Sequence, residues 1–231
     1  MKKIKLKYYF ILSLCSFMCW ACEDLTDIQQ EYLDRGEQIY VGKVDGLACY
    51  GGYYRIRING LMHYANTAEK CVIKWVANDI EDSVTINAAQ WKESDILNIY
   101  LNDMPEETYR FFVQTFDKEG NKSLNEEING RVYGDNHILS ITPKIITRVR
   151  KANDNIILTW TSTAENVSYI ELKYETNEGV EQQFLPPYTE SDTIYSNWKS
   201  KGKIEYRTAS IPEVGAIDTL YTEWRTDHFP E

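Results

Sequence analysis

After residue 38, hydrophobic and polar positions alternate with the two-residue period of strands rather than the 3.6-residue period of helices. YRIRI sets Tyr54, Ile56 and Ile58 on one face and Arg55 and Arg57 on the other, the mark of a half-buried strand. CVIKWV sets Cys71, Ile73 and Trp75 against Val72, Lys74 and Val76, and DSVTI follows the turn-like NDIED. In TYRFFVQTF, Tyr109, Phe111, Val113 and Thr115 share one face, with Phe112 and Phe116 opposite; DKEGNKS then reads as a turn before LNEEINGRVYG. The plan repeats about 100 residues on, a typical domain length. NIILTW aligns Ile156, Leu158 and Trp160, YIELKY aligns Ile170, Leu172 and Tyr174, and KIEYRT aligns Ile204, Tyr206 and Thr208. Short runs broken by Gly, Asn, Asp and Pro predict an all-β chain of two consecutive sandwiches, 39–134 and 135–231, joined near Asp135 to Pro143. No stretch beyond residues 23–38 carries a helical period.

One echo stands inside the second unit: DTIYSNWKS (Asp192 to Ser200) and DTLYTEWRT (Asp218 to Thr226) match in kind at every position. As strands they place Ile194 with Trp198, and Leu220 with Trp224, on one face. Both tryptophans are read as core side chains, with a ligand platform as the alternative.

The N-terminus departs from this pattern. Lys2, Lys3, Lys5 and Lys7 precede a charge-free run of 14 residues, Tyr8 to Ala21. A basic start and a short apolar stretch make a secretory signal, 1–21; at about 1.5 Å per residue the run falls short of a ~30 Å hydrocarbon core. Small Ala21 directly before Cys22 fits lipoprotein processing, which makes Cys22 the expected acylation site and the membrane a partner through that lipid. Residues 22–38 are then an acidic, mostly polar tether.

Charge narrows the partners. The chain carries a net −10, and loss of residues 1–21 removes four lysines and no acids. Phosphate backbones would be repelled, so nucleic acid is excluded as a partner. With Cys22 acylated, Cys49 and Cys71 remain as an even pair, either one disulfide or two buried thiols.

At LNDMPEETYRFFVQTFDKEGNKS (Leu101 to Ser123) the chain resembles the E–F corner of fibronectin type III domains, a Leu, a Pro and a Tyr that opens an alternating strand. The resemblance implies that Tyr109 is the corner tyrosine, its hydroxyl bonded back to the backbone. The wider set of GEQIYVGKVDG, Trp75, YRFFVQTFDKEGNKS and GRVYGD is similar to a family of Bacteroidetes surface lipoproteins, over residues 23–145. That resemblance implies a lipid-anchored, surface-exposed place in the outer membrane, near transporter complexes that import glycans or peptides. Glu23, Asp24 and Asp27 resemble the acidic export signal of such lipoproteins.

Catalytic chemistry finds no foothold. His63, His137 and His228 lie far apart without HExxH or paired CxxC, no G-x-S-x-G occurs, and no cofactor or metal is expected. DKEGNKS lacks the EF-hand's Gly at position six and Glu at twelve. Three Asp, Ser/Thr, apolar triplets mark Ser83, Thr193 and Thr219 as candidate O-glycosylation sites. Aromatic groups remain, because sugar rings stack on them. Trp91 beside a polar loop, and Tyr50, Tyr53 and Tyr54 in the loop ACYGGYY, are the ligand-binding candidates; Gly51 and Gly52 would let the backbone approach a ligand. Phe112 and Phe116 are the partner-contact candidates. The expectation is a noncatalytic accessory in glycan or peptide capture, with a structural lipoprotein that contacts a transporter complex or adhesin assembly as the alternative.

Overall fold

Alternation becomes strands wherever one face can be buried. The computed structural model describes residues 39–162, 166–187, 191–194 and 197–231. Its first half holds β1 (Asp45–Gly52), β2 (Arg55–Leu61), β3 (Lys70–Ala77), β4 (Ile80–Asn87), β5 (Ile96–Asn102), β6 (Thr108–Phe116) and β7 (Glu126–Arg131). They form two antiparallel sheets, ordered β1-β2-β5 and β4-β3-β6-β7. Ile56, Ile58, Leu97 and Leu101 of the first sheet meet Ile73, Trp75, Tyr109, Phe111 and Val113 of the second in one core. Each such side chain contributes about 1.5–3 kcal/mol on burial. This is the fibronectin type III arrangement of three strands against four, and the fold is all-β.

The corner between β5 and β6 follows from its residues. Tyr109 is fully buried, and its hydroxyl donates to the Pro105 carbonyl at 3.0 Å, so the phenol's one polar atom is satisfied beside the core. In the β6–β7 turn, both Asp117 carboxylate oxygens accept from Asn121, its backbone N–H and its amide, each at 2.8 Å.

A short helix, α1 (Asp135–Ser140), follows β7 and was not foreseen by periodicity. The Glu106 carboxylate accepts from the backbone N–H groups of Asn136 and His137, both at 2.8 Å, so the helix start is capped by a tertiary partner. Then come β8 (Ile146–Ala152), β9 (Asn155–Trp160), β10 (Tyr169–Glu175), β11 (Val180–Leu185), β12 (Ser191–Ile194), β13 (Lys203–Ser210), β14 (Leu220–Tyr221) and β15 (Arg225–His228). The order β12-β9-β8 faces β11-β10-β13-β14, and β15 also pairs with β13. Ile156, Leu158, Trp160, Ile170, Leu172, Tyr174, Ile204 and Tyr206 form the second core. Tyr133, Ile141 and Leu220, with Ile138, make a third, small cluster around α1.

Two strand readings are corrected. ACYGG is the C-terminal half of β1, not a loop; its pairing to β2 from Ala48↔Asn59 to Gly52↔Arg55 overrides the two glycines. Tyr54 does not share the inward face of Ile56 and Ile58. It turns at φ +50° just before β2, held by its N–H to the Tyr133 carbonyl (2.8 Å) and by Met104 N–H to its own carbonyl (3.0 Å).

Candidate functional site

The tyrosines chosen as ligand candidates line a joint inside the chain. The segment 211–219, between β13 and β14, folds back on the end of β1. Asp218 accepts from Arg55 through Nε at 2.8 Å and Nη2 at 2.5 Å, and from the Tyr53 backbone N–H at 2.8 Å. The Arg55 hydrogen bond, first, holds the Asp218 carboxyl below its ordinary pKa. Glu213 accepts from Gly51 N–H at 2.7 Å and from the Tyr133 hydroxyl at 3.2 Å, while Ile217 N–H donates to the Gly51 carbonyl at 2.9 Å. A Cβ on Gly52 would stand 2.4 Å from Asp218 Oδ2, and one on Gly51 2.2 Å from the Arg131 carbonyl. The close approach that these glycines permit is therefore to the chain's own segments.

Tyr50 is held between the Arg57 guanidinium, 4.7 Å from its ring centroid, and Gly215. Tyr53 donates its hydroxyl to Asp135 Oδ1 at 2.6 Å, a bond that pushes the phenol up to about 12. The Tyr54 ring meets Gly134 and stands edge-on to Tyr53. These three form a structural group at the joint, Tyr50 and Tyr54 half-buried in it and Tyr53 still 41% exposed with its hydroxyl tied to Asp135.

Trp91 requires a correction. It follows a 3-10 turn (Ala88–Gln90) and is buried at 2 % exposure in the first core, packed inward although its sequence neighbours are polar. It cannot stack on a sugar. The disulfide alternative is corrected as well: Cys49 and Cys71 are free thiols, half-buried and buried respectively. Burial pushes both up to about 12, with Glu213 adding to the effect at Cys49.

Among the glycosylation candidates, Ser83 is exposed on the edge strand β4. Thr219 is half-buried between the engaged Asp218 and the buried Leu220. Thr193 lies in β12, and its side chain is outside the described residues. Cys22, Glu23, Asp24 and Asp27 are outside them too. Among the described residues, no group of three or more His, Cys, Asp or Glu could hold a metal ion.

Phe112 and Phe116 have a different setting. They project from β6 onto the outer face of the β4-β3-β6-β7 sheet, both half-buried. Lys74 of β3 lies directly across from Phe112, and Lys70 across from Phe116, its ammonium 5.3 Å from the ring centroid. Two shallow grooves meet at Phe112. One of about 270 Å³ is lined by Val72, Lys74, Gln114, Phe116 and Asn125; the other, about 360 Å³, by Val76, Asn78, Arg110 and Asn129. Strand alternation builds this face: the odd-numbered partners of β3 and β6 fill the core, which leaves the even-numbered ones as the floor and walls of the grooves.

A sequence model of the DUF4998 family, described as a domain of unknown function, matches residues 22–220. The chain belongs to the DUF4998 family. No curated protein matches the sequence. Among solved structures, this DUF4998 chain is similar to the FN1–FN3 domains of chicken CNTN1, at 12% identity and a TM-score of 0.47, over 83% of this chain and 66% of that one. It spans just under two thirds of that structure's length. It is also similar to a two-domain fibronectin type III segment of chicken tenascin, at 11% identity and a TM-score of 0.35, over 82% of this chain and 100% of the other.

The second sandwich of the DUF4998 chain carries a feature that the sequence reading missed. On the outer face of its larger sheet, Lys173 lies 4.4 Å from the Trp224 ring centroid, Arg207 lies 4.5 Å from the same ring, and Arg207 lies 3.7 Å from Tyr221. Arg207 Nε also donates to Glu171 at 2.6 Å, and Gln182 donates to the other Glu171 oxygen at 2.7 Å. Trp224 is accordingly half-buried on an outer face, not in the core, whereas Trp198 packs on the second core. The echo of the two nine-residue stretches hinted at a shared role. Tertiary pairing separates them, because Trp224 falls in the break between β14 and β15.

Proposed function

We propose that this chain is a noncatalytic, lipid-anchored binding protein of the outer-membrane surface, which takes part in glycan or peptide capture through the open sheet face of its first sandwich. The observation that carries this reading is the pair of grooves meeting at half-buried Phe112, with Phe116 alongside. Aromatic surface left half-exposed beside amide and cationic groups suits a ligand that offers both apolar faces and hydrogen-bonding groups. The joint supports the same reading: with Glu213 held on β1 and Asp218 on the turn into β2, the face is offered on a firm base.

The test is a screen of the full-length protein, extracted in detergent, on oligosaccharide and peptide arrays, beside the Phe112→Ala/Phe116→Ala variant. Binding that the variant loses while its melting temperature holds supports the reading. Absence of any binder, or equal binding by the variant, refutes it. Anchoring is tested by Cys22→Ala, which should leave the membrane fraction; retention of a cleaved, unlipidated form would refute that part.

A scaffold role, contacting other proteins of a transporter complex or adhesin assembly, is the second reading. It draws support from Phe184 and Val180, which are 62% and 68% exposed on the second sandwich.

A further inference from the structure

The sequence gives an acidic protein, yet the open face of the first sandwich is locally basic. Pairing across the sheet places Lys70, Lys74, Arg110 and Arg131 on this face, against only Glu81 and Glu127. That is four cations to two carboxylates in a chain of net charge −10. Among the described residues, neither Lys74 nor Arg110 has an ion-pair partner, although both border the grooves. At physiological salt, charges more than about 8 Å away are largely screened, so a ligand on the face meets these four cations and two carboxylates, Glu127 across from Phe112 and Glu81 across from Val76, rather than the acidic remainder of the chain.

Three features of the lining specify the ligand further. Phe112 stands between the grooves as a flat apolar surface, Gln114 and Asn125 supply amides to one, and Asn78 and Asn129 supply them to the other. Groove volumes of about 270 and 360 Å³ stand near the low end of the ~300–1,000 Å³ range of small-molecule sites, room for about one ring each. A protein partner would instead need about 800 Å² of its own surface around a dry apolar centre. The apolar groups here, Val72, Val76, Phe112 and Phe116, are interleaved with cations, which breaks up any such centre. A nucleic-acid strand, charged at every residue, would require a larger basic footprint than this one.

Resting on the reading of this face as the binding surface, we propose that its ligand is an acidic oligosaccharide, whose ring faces pack on Phe112, whose hydroxyls meet the amides, and whose carboxylates pair with Lys74 and Arg110. The test is isothermal titration of the full-length protein in detergent at 0.15 M salt. Oligogalacturonate, oligomannuronate and hyaluronan fragments are each compared with their methyl esters and with an oligoglutamate peptide. At least one acidic sugar should bind tenfold or more tighter than its ester, and the Lys74→Gln/Arg110→Gln variant should erase that difference. Phe112→Ala should weaken the acid and the ester alike, with an unchanged melting temperature. Equal binding of acid and ester, with loss in Phe112→Ala, would overturn the acidic class while leaving the binding face in place. Oligoglutamate bound as tightly as the best sugar would overturn it in favour of a peptide ligand. No binding to any probe would overturn the proposal, and the array screen then decides separately whether the face binds at all.

Discussion

Asp218→Ala offers the sharpest test of how the two sandwiches are coupled. The substitution removes three hydrogen bonds, two from Arg55 and one from the Tyr53 backbone N–H, at 2.5–2.8 Å. The Arg55 and Asp218 side chains are 40% and 21% exposed, so solvent screens the ion pair and it contributes about 1 kcal/mol. The charge-assisted backbone bond adds about 1–2 kcal/mol, which gives an expected loss of about 2–3 kcal/mol. Urea denaturation followed by circular dichroism measures this loss, and an Arg55→Ala/Asp218→Ala double-mutant cycle should return about 1 kcal/mol of coupling. Because the contact joins the β1–β2 turn and the start of β2 to the segment before β14, the variant should also separate one cooperative transition into two, one for each core. A denaturation midpoint unchanged by Asp218→Ala, together with zero coupling in the cycle, would refute the idea that this contact holds the joint.

The remaining predictions follow from burial and titration. Trp91→Ala should cost about 3–5 kcal/mol by calorimetry, as a core tryptophan does, while ligand titrations per folded molecule stay unchanged. Tyr109→Phe should cost about 1–2 kcal/mol through the orphaned Pro105 carbonyl; a change below the error of denaturation would dismiss the corner bond. Alkylation of Cys49 and Cys71 at pH 8 should be slow in the native state, since both thiols are pushed up to about 12, and complete in urea without reductant, with mass spectrometry counting both labels. The depressed Asp218 stabilises the fold fully above its unfolded pKa of about 3.9, and this contribution is lost as pH falls through the lower folded value. Wild type should therefore lose stability more steeply than Asp218→Asn between pH 4 and lower pH, and parallel profiles would dismiss the linkage.

Sequence alone determined most of the fold, because strand pattern is a local property. Inward positions such as Ile56, Ile73, Trp75, Phe111, Leu158 and Tyr206 declare themselves by two-residue alternation, and the corner at Tyr109 by its spacing from Leu101 and Pro105. β1 escaped notice because Gly51 and Gly52 lower strand propensity, whereas ladder pairing with β2 supplies what propensity lacks. The site depended on contacts between residues far apart in the chain. Tyr53 to Asp218 spans 165 positions, and no local pattern signals that Asp218 closes onto the turn between β1 and β2, so tyrosines read as loop residues line a joint. Trp91 was misread for the same reason, since polar neighbours describe the chain around it and not the core it enters. Phe112 and Phe116 kept their outward face because alternation fixes which side of a sheet a residue takes; only the pairing of β3 with β6 decided that cations and amides would surround them.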